Sequence, residues 1–355
     1  MRWIAYIGGG LAALIVIVLL LAYGPGALDA RHFDPPPADP ELEALFDTPQ
    51  TPPALREDGL FGAEDVEPGP DGRLYTGLAD GRIMARAPDG PWRQIAGTQG
   101  RPLGLAFDGE DRLLVADARR GLIRLEPEGG WTVLLAQEPE GPLVFTDDLT
   151  VLEDGAIILS DASRRYGYGE YMTSFLEGEQ TGAIYRVSPE GEAEIIADGF
   201  AFANGVTHDP ETGLVYINET WAARVWTLDP DTGEREVFIE GLPGYPDNNH
   251  FDAETGLLWI ALPSKRSPEL EPLHPRPFLK RLVWRWIQVA GLPDLPPRPV
   301  MALAVNREGE PVHKLHGPDD QDFGVTGLAP WEGRLWAVGL ERGTADAWPA
   351  PETAR

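Results

Sequence analysis

Short runs of alternating polar and apolar residues, separated by turns rich in glycine and aspartate, fill most of the chain after its first sixty residues. Six windows share one pattern: a polar start, an apolar run, a turn built on Asp-Gly, Thr-Gly or a related pair, and a second apolar run. These windows are 63–77, 102–116, 146–160, 203–218, 246–261 and 325–339. The pattern predicts a β-hairpin in each window.

A second hairpin pattern follows several of the windows, as in GRIMARAPDGPWRQIA and GLIRLEPEGGWTVLL. Two hairpins make a four-stranded blade, so the sequence predicts an all-β, six-bladed β-propeller over residues 59–345. The sixth blade is the weakest, because its pattern degrades from Glu341 onward. We expect residues from the N-terminal side to complete it, and we expect residues 346–355 to form a tail.

Two intervals between windows are longer than one blade needs, which indicates insertions over 163–181 and 263–300. The second insertion contains a helix-like stretch, 278–289, within blade 5. Both insertions are expected to form loops or lids on one face of the propeller. Tyr166, Tyr168 and Phe175 of the first could wall a pocket there, whereas Trp221 fits a pocket wall and the core equally well.

The N-terminal segment differs from everything that follows. Residues 3–23 carry no charge and number about the 20 that cross a bilayer as a helix, so a transmembrane anchor is predicted over 1–24. Arg2 precedes the run and a mostly acidic stretch follows it, which favours a cytoplasmic N-terminus and an extracytoplasmic propeller. Signal cleavage and secretion are the alternative. Residues 25–58, rich in proline, are predicted to be a semi-rigid linker with a short helix around 40–46.

The overall charge excludes some partners. Asp and Glu outnumber Lys and Arg 57 to 29, a formal charge of −28, so nucleic acid is not expected as a partner. The same field favours cations. The chain has no cysteine, which excludes disulfides, thiolate metal sites and cysteine nucleophiles.

In a propeller the first strand of each blade lines the central channel, so the second residue of each window lies at one height around the axis. These residues are Glu64, Leu103, Asp147, Asn204, Asp247 and Thr326. Four of them offer carboxylate or amide oxygens, and none is His or Cys, which argues for a hard cation over zinc or copper. We predict one axial Ca²⁺ held by Glu64, Asp147, Asn204 and Asp247. Without a cation, the three carboxylates should raise each other's pKa.

Four stretches carry a family likeness: 101–122 (RPLGLAFDGEDRLLVADARRGL), 144–163, 202–220 and 242–262. Over about residues 59–340 the chain resembles strictosidine-synthase-like proteins of the adipocyte-plasma-membrane-associated type. Beyond them it resembles the calcium propellers that include gluconolactonases and paraoxonases. The resemblance implies a membrane anchor of the same kind and the same four metal ligands, with Asp147 standing where the family usually has Asn.

Two departures bear on chemistry. Leu103 stands where paraoxonases carry a histidine that is part of their proposed base. Thr326 stands about where strictosidine synthases carry a catalytic glutamate. Alkaloid condensation is therefore not expected.

The resemblance to gluconolactonases implies hydrolysis of a lactone or aryl ester, with Asp247 as the base and Asp147 as a second candidate. His250, three residues after Asp247, is interpreted as structural. The alternative is a non-catalytic propeller that uses a structural metal and binds a protein partner or a small ligand.

Segment 263–300 carries seven basic and three acidic residues in an otherwise acidic chain. Apolar and aromatic residues alternate with these charges over 278–289. This pattern is typical of an amphipathic helix at a membrane surface. The alternative is a helix that caps the propeller and leaves its basic edge in solvent.

Overall fold

The computed structural model describes residues 2–136, 143–291, 298–320 and 324–351, with side chains from residue 13 and, in the third range, up to residue 318. The chain divides into two compact units. The propeller unit comprises Pro36–Glu170, Gln180–Arg266 and Pro297–Arg355. The helical unit comprises Met1–Pro35, Tyr171–Glu179 and Ser267–Pro296.

Four α-helices are described: α1 (Arg2–Tyr23), α2 (Pro40–Ala44), α3 (Tyr171–Glu177) and α4 (Pro277–Ala290). The predicted helix over 278–289 thus matches α4 to within one residue at each end. Short 3₁₀ turns occupy Thr220–Ala222 and Glu271–Leu273.

The strands form six four-stranded antiparallel sheets, which confirms the predicted six blades. The first strand in the chain, β1 (Leu55–Asp58), belongs to the last blade. Blade 1 contains β2 (Val66–Pro68), β3 (Leu74–Gly77), β4 (Arg82–Arg86) and β5 (Arg93–Gly97). Blade 2 contains β6 (Pro102–Phe107), β7 (Leu113–Asp117), β8 (Gly121–Leu125) and β9 (Trp131–Ala136). Blade 3 contains β10 (Thr146–Val151), β11 (Ile157–Asp161), β12 (Gly182–Val187) and β13 (Ala193–Phe200).

Blades 4 to 6 continue the order. Blade 4 contains β14 (Ala203–His208), β15 (Val215–Glu219), β16 (Arg224–Leu228) and β17 (Arg235–Glu240). A two-stranded sheet pairs β18 (Gly244–Tyr245) with β21 (Ser264–Lys265). Blade 5 contains β19 (Asn249–Asp252), β20 (Leu257–Ala261), β22 (Arg298–Val305) and β23 (Pro311–Asp320). Blade 6 contains β24 (Gly327–Trp331), β25 (Arg334–Val338), β26 (Thr344–Pro349) and β1.

The ring closes through β1, which pairs with β26 from Leu55 opposite Ala347 to Asp58 opposite Thr344. The N-terminal side therefore completes blade 6, as the sequence predicted. The closing elements extend beyond the predicted domain boundaries, since β1 lies within the predicted linker 25–58 and β26 runs into the predicted tail 346–355. Three of the four residues of β1 are charged, so its strand character comes from this pairing and not from a local apolar pattern.

Part of the predicted linker also packs on the propeller unit. Asp39 caps α2 by accepting a hydrogen bond from the Glu41 N–H at 2.8 Å, and its own N–H donates to the Gly241 carbonyl at 2.8 Å. Leu42 and Phe46 are buried. These two apolar side chains and the backbone hydrogen bonds hold this part of the predicted semi-rigid linker in place.

The hydrophobic core lies between blades. One cluster joins Leu74 of blade 1 to Trp336 of blade 6, and another joins Leu114 of blade 2 to Leu159 of blade 3. Alternate residues of a strand point to opposite faces of its sheet, so each blade packs against both neighbours. This packing fixes the height of every innermost strand along the axis.

The helical unit assembles three segments that are distant in sequence: the N-terminal residues and parts of both insertions. Lys280 of α4 is buried and donates to the Glu177 carbonyl at the end of α3 at 2.8 Å. The same carbonyl accepts the Arg31 N–H. His274 packs edge-on against Phe33 and Phe175.

Across the described part of the chain, no helix combines the length and the apolarity needed to cross a membrane. The side chains of residues 2–12 of α1 lie outside that part. The span predicted over residues 3–23 therefore stays a prediction.

Candidate functional site

The six predicted axial residues all lie where an innermost strand begins. Leu103, Asp147 and Asn204 are the second residues of β6, β10 and β14, whereas Glu64, Asp247 and Thr326 come just before β2, β19 and β24. The pairing register shifts at this point in three blades, next to these second residues. Such bulges change the direction of a side chain at the start of a strand.

The structure brings the four predicted ligands together. Asp247 and Asp147 both act electrostatically on Glu64, and the Asn204 side chain hydrogen-bonds to the Asp247 carboxylate. Glu64, Asp147 and Asn204 are only 3%, 4% and 4% exposed, while Asp247 is partly accessible. Four side chains from blades 1, 3, 4 and 5 thus face one buried space.

Three oxygens in this space have no hydrogen-bond partner among the described residues: Glu64 Oε2, Asp147 Oδ2 and Asn204 Oδ1. Buried polar atoms in proteins are nearly always paired, and leaving one unpaired costs about 1–3 kcal/mol. Oxygen ligands of this kind suit Ca²⁺. Within the described residues, however, no three His, Cys, Asp or Glu side chains form a group that could hold a metal ion. The fit to Ca²⁺ therefore rests on the chemistry and burial of the oxygens, which include the amide oxygen of Asn204.

Burial raises the pKa of all three axial carboxyls. The pKa values of Glu64 and Asp147 rise well above the ordinary range, mainly through desolvation and then through repulsion by Asp247. Desolvation likewise raises the pKa of Asp247 to about 7. The mutual repulsion expected from the sequence is present, but loss of water is the larger cause.

The next residue of each window forms a second ring, in which polar residues and glycines alternate: Asp65, Gly104, Asp148, Gly205, Asn248 and Gly327. Each glycine faces the polar residue of the following blade. A Cβ on Gly205 would lie 2.6 Å from the Cα of Asn248, and one on Gly327 would lie 2.7 Å from the Cα of Asp65. Close approach of neighbouring blades therefore requires glycine at these positions.

The polar members of this second ring tie blades together. The Asp148 carboxylate accepts the Val206 N–H at 2.7 Å, which joins blade 3 to blade 4. Asn248 Nδ2 donates to Glu64 Oε1 at 2.8 Å. Thr326 Oγ1 donates to the Glu64 carbonyl at 2.6 Å, so the threonine at the sixth axial position orients Glu64. Leu103 is buried.

Arg101 is a site residue that the sequence analysis missed. It is 1% exposed; its Nη1 donates to the Gly62 carbonyl at 2.7 Å and its Nε to the Tyr168 hydroxyl at 3.1 Å. Its Nη2 has no hydrogen-bond partner in the part of the chain that the structure describes. The charge of the guanidinium partly offsets the rise in the pKa of Glu64 and of Asp147. Its sequence signal is a lone cation two residues before an axial position.

Aromatic residues occupy the corresponding place in the next three blades: Phe145, Phe202 and Tyr245. Ring contacts link them into an arc, with centroid distances of 5.9 Å for Tyr168–Phe145, 5.3 Å for Phe145–Phe202, 4.7 Å for Phe202–Trp221 and 6.0 Å for Trp221–Tyr245. Phe202 has a φ of 71°, a conformation that is strained for a bulky residue. Tyr168 and Trp221 belong to this arc, whereas Phe175 lies in the helical unit.

His250 pairs with Glu67 and not with Asp247. Its Nδ1 lies 3.6 Å from Glu67 Oε2. Desolvation lowers the pKa of His250, but the hydrogen bond and the charge of Glu67 outweigh it and give a net rise. This pairing agrees with the interpretation of His250 as structural.

Two known protein families match the chain. The model of the SMP-30/gluconolactonase/LRE-like region matches residues 74–267, and a strictosidine synthase-like N-terminal model matches residues 54–86. The chain belongs to the SMP-30/gluconolactonase/LRE-like family.

Its curated relatives assign this family member to the strictosidine-synthase-like branch. Protein strictosidine synthase-like 13 of Arabidopsis thaliana is 34% identical over 262 residues, which span 64% of this chain and 64% of that protein. Strictosidine synthase-like 4 of the same plant is 31% identical over 79% of this chain and 80% of its own length. The adipocyte plasma membrane-associated protein of Rattus norvegicus is 31% identical over 70% of this chain and 72% of its own length.

Solved structures show the same fold. A gluconolactonase from Xanthomonas campestris has a TM-score of 0.60 at 17% identity, covering 92% of this chain and 97% of that chain. The calcium-binding protein regucalcin from Agrobacterium tumefaciens also has a TM-score of 0.60 at 17% identity. The match covers 87% of this chain and 97% of that chain. At this level of identity, the likeness concerns the propeller fold alone.

Proposed function

We propose that this family member is a Ca²⁺-dependent hydrolase of lactones or aryl esters, anchored to a membrane by α1. The observation that carries the proposal is the group of buried oxygens without partners among the described residues, on Glu64, Asp147 and Asn204, beside Asp247. These four residues would hold the cation. When bound, a divalent cation supplies Lewis-acid polarisation of a carbonyl oxygen.

Asp247 is the base in this proposal. Without a cation, desolvation raises the pKa of Asp247 to about 7. A bound cation would lower this pKa and favour the carboxylate, which is the form that can accept a proton from an attacking water. Asp247 is also more accessible than Asp147. Asp147 is the second candidate, but its enclosure limits the exchange of protons with water, and the guanidinium of Arg101 favours its charged form.

Arg101 and the aromatic arc supply the binding surface. We assign to Arg101 Nη2 the role of holding negative charge on the substrate, because it is a buried donor close to the axial site. The arc from Tyr168 to Tyr245 offers ring faces and edges to an aryl or other apolar group. Condensation of the strictosidine synthase kind is not proposed, since Thr326 is engaged with the Glu64 carbonyl.

The proposed anchor rests on the uncharged run of residues 3–23 and on the relative named adipocyte plasma membrane-associated protein. The N-terminus would lie in the cytoplasm and the propeller outside it. Cleavage after this segment would instead release a secreted protein, and sequencing the N-terminus of the mature chain distinguishes the two.

The hydrolase proposal is tested with the full chain in detergent, assayed on aryl esters and lactones with Ca²⁺ and after chelation. We expect turnover that chelation removes and that Asp247→Asn lowers by about 100-fold or more. Asp252→Asn, five residues further along, is the matched control and should keep full turnover. Full turnover of Asp247→Asn with Ca²⁺ bound would exclude Asp247 as the base. No turnover on any substrate, with Ca²⁺ still raising the Tm, would favour the non-catalytic alternative.

A further inference from the structure

The polar side chains of α4 point into the helical unit. Lys280 is buried against the Glu177 carbonyl. Arg281 donates to the carbonyls of Leu28 at 3.2 Å and Ala30 at 3.1 Å. These cations are therefore used to hold the chain segment that follows α1, and they do not form a solvated face.

Several apolar side chains of α4 are exposed instead. Leu279, Trp286 and Val289 are 38%, 56% and 90% exposed. They recur at the spacing of one helix face, with Leu282 and Val283 half-buried between them. An amphipathic helix on the surface of a globular protein normally buries its apolar stripe and exposes its charged side chains. The arrangement of α4 is the reverse, so its outer stripe requires an apolar environment.

This outer stripe is continuous with the exposed part of α1. Leu14 to Leu21 expose their apolar side chains, with Leu20 63% exposed. The rings of Tyr23 and Phe278 lie 6.3 Å apart, where α1 ends and α4 begins. Arg285 Nε donates to the Leu21 carbonyl at 2.8 Å, and its Nη2 to that of Gly24 at 3.0 Å. Arg285 therefore satisfies carbonyls that the end of a helix leaves without partners.

We propose that the outer stripe of α4, Leu279–Trp286–Val289, lies in the headgroup–acyl boundary of the bilayer that holds α1, and that it docks the helical unit on the membrane. The proposal rests on the proposed anchoring by α1. The segment Pro277–Ala290 contains three cations and no acidic residue, so it lacks the negative charge by which an anionic leaflet would repel the rest of this acidic chain. Tryptophan at the edge of an apolar stripe is typical of this boundary.

The absence of cysteine allows a direct test. A single cysteine is introduced in the full chain by Val289→Cys or, in a second variant, by Trp286→Cys, and is labelled with an environment-sensitive fluorophore. Val237→Cys is the matched control, because it replaces an exposed valine on the outer strand of blade 4 (43% exposed). Each variant is reconstituted in vesicles of neutral and anionic phospholipid, and flotation reports anchoring separately.

We expect the labels at positions 289 and 286 to shift their emission to the blue and to lose intensity with a lipid-borne quencher. The label at position 237 should respond only to a quencher in water. If the protein floats but the labels on α4 respond like the control, the α4 proposal is wrong while the α1 anchor stands. If the α4 labels are shielded from both quenchers, a protein surface covers the stripe, and the proposal is equally overturned.

Discussion

At Gly205 the chain has no room for a side chain. An added methyl group would lie 2.6 Å from the Asn248 Cα, 2.6 Å from the Asn249 nitrogen and 2.7 Å from the Asp247 carbonyl oxygen. All three atoms are backbone atoms of the next blade, and the Gly205 N–H also donates to that carbonyl at 3.1 Å. A side chain here would move blade 5, and with it Asp247, away from Asn204.

We therefore expect Gly205→Ala to lower the free energy of unfolding by about 1–3 kcal/mol through overpacking. Gly97→Ala is the matched control, since its Cβ would meet nothing closer than 3.6 Å. Urea unfolding of both variants measures the difference. Equal midpoints for the two variants would show that blades 4 and 5 accommodate the added methyl group without cost, which would contradict the expected overpacking.

The axial residues could be predicted from the sequence because the chain is built of repeats. Equivalent positions in the repeats lie at the same height along the propeller axis. Glu64, Asp147, Asn204 and Asp247 follow from the same position in each window. Arg101 did not follow, because its role depends on the direction of its side chain and on Tyr168 in an insertion outside the repeat. Similarly, the sequence shows that Gly104, Gly205 and Gly327 occupy equivalent positions. It does not show why glycine is required there, because that depends on the distances between blades.

Closure of the ring by β1 and β26 brings charged side chains together in a buried position. Asp346 of β26 is fully buried and accepts hydrogen bonds from Arg342 at 2.6 Å and from Arg56 of β1 at 2.8 Å. Arg342 is itself 1% exposed. Removing one partner of a buried ion pair leaves the other charge poorly compensated, which is costly.

We expect Asp346→Asn to destabilise the protein by about 3–5 kcal/mol. Asp80→Asn is the control, because Asp80 forms an exposed pair with Arg82, and such pairs contribute about 0–1 kcal/mol. Denaturant unfolding compares the two variants. A loss at Asp346 as small as that at Asp80 would mean that β1 contributes little to closure.

The bounds of elements with a strong local pattern were predictable, and the bounds of those formed by pairing were not. The apolar spacing of α4 predicted its bounds to within a residue. The short strand β1 has no such pattern, since Arg56, Glu57 and Asp58 are all charged, and only β26 defines it as a strand. The joining of both insertions with the N-terminal residues in one unit likewise depends on tertiary contacts, such as that of Lys280 with the Glu177 carbonyl.

The buried carboxyls make the stability of the whole protein depend on pH. Desolvation raises the pKa of Asp65 and of Asp247 from an ordinary 3.8 to about 7. The folded protein thus binds these protons more tightly than the unfolded chain does. Protonation of Asp65 and Asp247 therefore stabilises the folded protein. This stabilisation is complete below about pH 4 and is lost as the pH rises through about 7.

We expect the chelated protein to lose a few kcal/mol of unfolding free energy between pH 5 and pH 8, because each unit of pKa shift corresponds to about 1.4 kcal/mol. Ca²⁺ should restore stability most at pH 8, where the carboxylates are ionised. Unfolding in urea at several pH values, with chelator or Ca²⁺, measures both effects. Asp65→Asn should flatten the profile, and a chelated protein that gains stability from pH 5 to pH 8 would contradict the prediction.

The pairing of β1 with β26 also sets the order in which the molecule can be completed. A ribosome releases Leu55–Asp58 long before Thr344–Pro349 exists, so the first strand waits with an open edge while nearly all the other blades are synthesised. Its three charged side chains make that edge a poor template for a neighbouring nascent chain. A chain that terminates before Thr344 leaves β1 without its partner strand and blade 6 incomplete.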